Sequence, residues 1–161
     1  MRNLAGEVDV FQAVQSAIAA DPTDFSDPTG IRSESRPLRG ALTRPLRVII
    51  VEDEAFIRLD LEDGLSRAGH QVVATAVEAD DAISVVDRER PDVVLMDIRI
   101  LGPRDGVEAA LEIRRRFDIP CIMISAFVDA AAQQRLAPAR PHAFVSKPID
   151  FLSLQRALDG L

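Results

Sequence analysis

The chain has 161 residues, 47% of them hydrophobic and 28% charged, enough for one domain with a full core plus an extension. Its net charge of −7 argues against a protein that wraps nucleic acid, because neutralising phosphates requires a basic face. No apolar run approaches the roughly 20 residues that span a bilayer, and Glu7 and Asp9 stand where a signal peptide needs an apolar segment, so the expectation is a cytoplasmic protein with no membrane and no nucleic-acid partner.

Two textures divide the chain. In residues 1–45, Leu4, Val8, Phe11, Val14 and Ile18 recur at spacings of three and four, predicting a short amphipathic helix over about 4–20 that Asp21-Pro22 ends. Residues 21–45 are rich in Pro, Ser, Thr, Asp and Gly and read as a polar linker. This N-terminal extension is either a docking element for its own receiver or another chain, or a disordered leader or misassigned start.

From Leu46 onward, strands alternate with helices. Leu46–Val51 is an apolar run that ends in acids, the pattern of a buried strand. Ile57, Leu61, Leu65 and Ala68 share one helical face over 55–68, and Gly69 is placed to terminate it. A second strand is expected over 71–75 and a helix over 78–89 through Ala79, Ile83 and Val86. A third strand follows over 92–96. A loop leads to a helix at about 105–117, with Val107, Ala110, Ile113 and Phe117 inward. Pro120 opens a fourth strand through Ile124, 129–137 is a short helix, and 143–146 is a fifth strand. Asp150 caps a last helix that carries Phe151, Leu154, Leu158 and Leu161 on one face. Strands this apolar are buried on both faces, as in a parallel sheet covered by helices, so the fold class is α/β, doubly wound.

Cys121 lies inside the apolar run 121–124 and reads as a buried core thiol; a single cysteine excludes an internal disulfide. His70 and His142 stand beside turn-like residues and are expected at the surface or in loops. Of 19 basic residues 18 are Arg, and the lone lysine is Lys147.

In an open α/β sheet, ligands gather beyond the carboxyl ends of the strands. The strand ends here carry Glu52-Asp53-Glu54, Ala76-Val77, Asp97, Ser125-Ala126 and Lys147-Pro148. Neighbouring first and third strands would bring Asp53 and Asp97 together with Glu52 close by. Clustered carboxylates repel unless a cation sits among them. A hard divalent ion with oxygen ligands answers that need, and Mg²⁺ tolerates two or three carboxylates plus waters. Lys147 adds a fixed positive charge and Ser125 a hydroxyl. A carboxylate nucleophile, Mg²⁺, a lysine and a hydroxyl suit phosphoryl transfer, where catalysis is mostly positioning and charge neutralisation. Each residue alone has a plainer reading: acids at a helix start complement its dipole, and an Asp after a strand is commonly a turn or cap. The four together, each after its own strand, carry the argument.

Residues 46–161 resemble the receiver domain of bacterial two-component response regulators. The matching segments are Val48–Glu54, Asp92–Ile98, Asp105–Ala109, Ile122–Ala126 and Phe144–Pro148. The resemblance implies a flavodoxin-like (βα)5 fold, strand order 2-1-3-4-5, with no output domain after it. It implies Asp97 as phospho-acceptor, and Mg²⁺ held by Asp53, Asp97, Glu52 (directly or through water) and the backbone carbonyl of Arg99. Ser125 would hydrogen-bond the phosphoryl group and shift towards it, and Lys147 would pair with its oxygens. Phe144 would be the aromatic rotamer switch, and Pro148 would follow a cis peptide bond. Implied partners are a sensor histidine kinase or histidine phosphotransfer protein, with output by protein–protein interaction or onward relay. Homodimerisation through the fourth helix, fifth strand and fifth helix, or through the N-terminal helix, is a further expectation. The 97–106 loop departs from the pattern: it is one residue longer than the commonest version, and Gly102-Pro103 replaces Pro-Gly. Arg99 and Phe127 flank the expected site, where they would hinder water and set the phosphoryl lifetime.

Other readings fit less well. A Mg²⁺-dependent phosphohydrolase of the haloacid-dehalogenase kind needs a second acid two residues after Asp97, where Arg99 stands. The expectation is thus a protein that catalyses only its own phosphorylation and dephosphorylation. A flavodoxin-like cofactor binder needs Ser, Thr and Gly after the first strand; Glu52-Asp53-Glu54 repels anions. A receiver that never accepts phosphate would not need all of Asp53, Asp97, Ser125 and Lys147.

Overall fold

Strand β1, Arg47–Val51, forms where consecutive β-branched residues offer apolar side chains to both faces of a ribbon, and Val48, Ile49, Ile50 and Val51 are all buried. The structure, a computed structural model, describes residues 44–126 and 130–161. The helix expected over about 4–20, most of the linker and Phe127 lie outside the described residues.

After β1 come α1 (Ala55–Arg67), β2 (Gln71–Ala76), α2 (Ala79–Glu89), β3 (Val93–Asp97), α3 (Gly106–Phe117), β4 (Cys121–Ser125), α4 (Ala130–Leu136), β5 (Ala143–Ser146) and α5 (Phe151–Asp159). The strands make one sheet in the order β2-β1-β3-β4-β5, and every pairing is parallel. Val51 pairs with Met96 and Ser125 with Ser146, so all carboxyl ends reach one rim.

Period-two alternation splits the core between the faces. Ile49, Val51, Val94, Met96 and Met123 pack with Ala82, Val86, Ala110, Ile113 and Leu136, which places α2, α3 and α4 on one side. Val48, Ile50, Leu95, Ile122 and Ile124 pack with Leu61, Leu65, Leu154 and Leu158 of α1 and α5 on the other. Gly69 takes φ +87° just past α1, the left-handed turn that glycine adopts without a Cβ penalty. Asp105 and Asp150 cap α3 and α5 by accepting backbone N–H bonds.

Several expectations need correction. His70 is not a surface residue: it is 6% exposed, its Nδ1 accepts from the Leu46 amide at 3.2 Å, and its ring faces Gln155 of α5. Burial here follows from α1 ending against the start of β1, which local sequence does not reveal. Asp92 precedes β3 rather than opening it; its carboxylate accepts from the Arg47 amide and the Arg44 guanidinium, both at 2.7 Å. Leu161 is exposed and Ala68 lies outside the α1 core face. Phe117 does pack on the core as expected, half-buried, with the guanidinium groups of Arg90 and Arg116 at 4.9 and 4.8 Å from its ring centre. Among the described residues no helix is long and apolar enough to cross a membrane.

Candidate functional site

The rim gathers the polar strand ends because the β1, β3, β4 and β5 ladders are in register up to their last residues. Past β3 the Ile98 amide donates to Ile124 O at 3.1 Å, and the Lys147 amide donates to Ser125 O at 2.9 Å. These bonds carry the parallel alignment one residue beyond the strands. Lys147-Pro148 is a cis peptide, as the resemblance implied.

Asp97, the last residue of β3, is 5% exposed. Its Oδ2 accepts from Lys147 Nζ at 2.6 Å, and its Oδ1 accepts from the Arg99 amide at 3.0 Å. Lys147 Nζ also lies 2.7 Å from Glu52 Oε2 and 3.6 Å from Glu54 Oε1. One ammonium thus faces three carboxylates. Asp53 completes the cluster: Glu52, Asp53 and Asp97 each offer an oxygen within 4.8 Å of the others. Ser125 is buried at the end of β4 beside this group. Phe144, on β5, is 44% exposed and turned to solvent.

The electrostatics are those of a site short of positive charge. Burial pushes the Glu52 carboxyl above its usual range, against the pull of Lys147 and the Glu54 amide. Burial alone would lower Lys147, but its bonds to Asp97 and Glu52 outweigh that and hold it above its usual value. Both values rise, which favours the neutral form of Glu52 and the charged form of Lys147. The lysine's direction is the firmer one, since Asp97 at 2.6 Å suffices to keep it cationic. Glu52 Oε2 is buried and at ion-pair distance from Lys147, yet no hydrogen bond is aligned on it. Glu52, Asp53 and Asp97 converge with Lys147 as the ammonium among them, and three carboxylates sharing so little positive charge are the donor set of a hard cation with oxygen ligands, so these residues fit Mg²⁺.

A cleft of about 320 Å³ opens over the cluster, lined by Asp53, Glu54, Asp97, Arg99, Ala126 and Lys147. A larger groove of about 710 Å³ between α3 and the turn at Pro138 has no grouping of acids around a lysine, and chemistry rather than size selects the smaller one.

Two functional positions escaped the sequence reading. Arg58, four residues after Glu54 on α1, donates to Glu52 O at 2.8 Å and braces the acidic turn; its helical spacing was the available signal. Gly106 starts α3 so close to β3 that a Cβ there would lie 1.8 Å from Asp97 O. The Asp105-Gly106 pair was visible, but not the contact that requires it.

The family model described as the response regulator receiver domain matches residues 48–159. The transcriptional regulatory protein PdtaR of Mycobacterium tuberculosis is 34% identical over 115 residues, which cover 71% of this chain and 56% of PdtaR. The probable transcriptional regulator ycf27 of Guillardia theta is 44% identical over 85 residues, 53% of this chain and 33% of ycf27. The chain therefore spans about half or less of these relatives' length. Among solved structures, the signal receiver domain of a modulated diguanylate cyclase from Desulfovibrio desulfuricans G20 superposes with TM-score 0.68 at 28% identity, covering 72% of this chain and 92% of that one. The response regulator PhyR from Brucella abortus gives TM-score 0.61 at 30% identity, covering 73% and 47%. Joined to the strand order and the Asp97–Lys147 cluster, these matches establish that the chain belongs to the response regulator receiver domain family of two-component signalling.

Proposed function

We propose that this receiver takes a phosphoryl group from a partner phosphohistidine onto Asp97, with Mg²⁺ bound, and acts as a switch. The observation that carries the reading is Asp97 at the rim, with Lys147 Nζ 2.6 Å from one oxygen and Glu52 and Asp53 within cation-sharing distance. An Asp97 oxygen attacks phosphorus, the phosphorus–nitrogen bond breaks, and its electron pair leaves with the imidazole, which takes up a proton. Asp53, Asp97, Glu52 and the Arg99 carbonyl would hold Mg²⁺, which neutralises charge on the transferring group when bound. Lys147 pairs with the phosphoryl oxygens, and Ser125 donates its hydroxyl to one of them.

Arg99, rather than an acid, stands two residues after Asp97 and lines the cleft, which supports a protein that turns over only its own phosphoryl group. The donor is a sensor histidine kinase or histidine phosphotransfer protein. A patch fit to receive it lies beside Lys147, where Phe56, 89% exposed, shares a surface hollow with Ile57, Pro148 and Ile149. Output runs through protein–protein contact or onward relay. The α4–β5–α5 face, with Phe144 and Leu152 exposed, serves as the responsive surface and as the route to a homodimer. The setting is the cytoplasm.

The test is phosphorylation by a small acyl phosphate with Mg²⁺, read by intact mass in wild type and Asp97→Asn. One phosphoryl adduct is expected in wild type and none in the variant. An adduct that persists in Asp97→Asn rejects the assignment.

A further inference from the structure

The loop from Ile98 to Asp105 carries Arg99, whose amide donates to Asp97 Oδ1 at 3.0 Å and which lines the acidic cleft. Its base is closed by the Gly106 amide, which donates to Ile98 O at 2.9 Å. Its middle is stitched to the segment after β2: Leu101 bridges Glu78 in parallel, with the Leu101 amide donating to Val77 O at 3.0 Å. The chain then turns through Gly102, at φ +91°, and Pro103.

Arg104 fixes the far end. Its Nη1 donates to Asp80 Oδ1 in the first turn of α2 at 2.7 Å, and its Nη2 donates to Glu112 Oε2 on α3 at 2.6 Å. Arg116 holds the other Glu112 oxygen at 3.0 Å, which keeps that carboxylate aimed at Arg104. One guanidinium therefore spans two helices and the loop. A planar fork with separate N–H arms can serve two carboxylates at once, whereas an ammonium is a single point charge.

We propose that Arg104 is a positioning residue for divalent-cation binding, clamping the β3–α3 loop so that the Arg99 carbonyl is held for a cation at the acidic cluster. The inference rests on the Mg²⁺ reading above. A carbonyl dipole serves as a ligand only while its loop holds the binding conformation. When that conformation is partly populated, apparent affinity falls by the same fraction. Half-exposed ion pairs add little to global stability, so releasing the clamp acts on cation binding more than on the fold.

The experiment is a calorimetric titration of the full chain with Mg²⁺ alone, for wild type, Arg104→Ala, Arg104→Lys and Asp80→Asn, with melting followed in Mg²⁺-free buffer. Arg104→Ala is expected to raise the Mg²⁺ Kd about fivefold or more, with Mg²⁺-free melting within a few degrees of wild type. Arg104→Lys should recover part of the loss, and Asp80→Asn, which cuts only the α2 arm, should fall between. An unchanged Kd in Arg104→Ala overturns the proposal. So does a Kd that rises only alongside Mg²⁺-free melting loss while Asp80→Asn leaves it unmoved, since the clamp is then only structural. A wild type with no saturable Mg²⁺ binding removes the cation reading itself, and the inference with it.

Discussion

Replacing Gly106 with Ala should damage both stability and phosphorylation, through one contact. A Cβ at this position would lie 1.8 Å from Asp97 O and 3.1 Å from Ile98 Cα, where ordinary contact begins near 3.4 Å. Backbone, not a flexible side chain, stands in the way, so α3 and the end of β3 must separate by more than about 1 Å. Helix propensity favours Ala over Gly by about 0.5–1 kcal/mol. Forced overpacking in a close-packed interior costs about 1–3 kcal/mol or more, so the collision wins and the variant loses stability. The displaced strand end carries Asp97, and a misplacement of about 1 Å at a reacting group costs about 10²-fold in rate. Gly64→Ala is the control. Its Cβ would meet the Phe151 ring at 1.9 Å, a partly buried side chain packed on the α1–α5 core rather than the backbone that carries Asp97. Denaturant unfolding and acyl-phosphate phosphorylation rates should show both losses in Gly106→Ala, and at most a stability loss in Gly64→Ala. A Gly106→Ala protein as stable and as fast as wild type would refute the close-approach argument.

Saturating Mg²⁺ should stabilise the fold by about 2.7 kcal/mol at a hundred times its Kd, an effect that chelation reverses and Asp53→Asn abolishes; equal melting with and without Mg²⁺ counts against the site. Burial pushes the Cys121 thiol up to about 12, so native protein at pH 8 should resist alkylation and label only on unfolding, and rapid native labelling would contradict its burial. Burial works to raise Asp92, but the Arg47 amide and Arg44 guanidinium outweigh it and hold the carboxyl below its ordinary 3.8. A depressed acid contributes stability above its unfolded value and loses it as pH falls through the folded one. Asp92→Asn should therefore be less stable than wild type at pH 7, with the gap closing below about 3.8; a gap constant with pH argues against the ion pair.

Local sequence pattern carried the α/β class, the five strand–helix units and the placement of Asp53, Asp97, Ser125 and Lys147 at the ends of separate strands. Those features are local: buried parallel strands are near-continuous apolar runs, helices repeat at 3.6, and acids or Gly mark the ends. Tertiary structure decided what depends on distance between segments far apart in the chain. Strand adjacency put Lys147 within 2.7 Å of both Asp97 and Glu52. It buried His70, whose neighbours suggested a turn, because Leu46 and Gln155 close over it. It required Gly106 to be bare, because α3 begins against the Asp97 carbonyl. It also tied Arg104 to helices on both sides, since pairing across 24 and 8 residues leaves no periodic trace in the chain. Periodicity reports which way a side chain faces; only packing of the finished sheet fixes what it meets there.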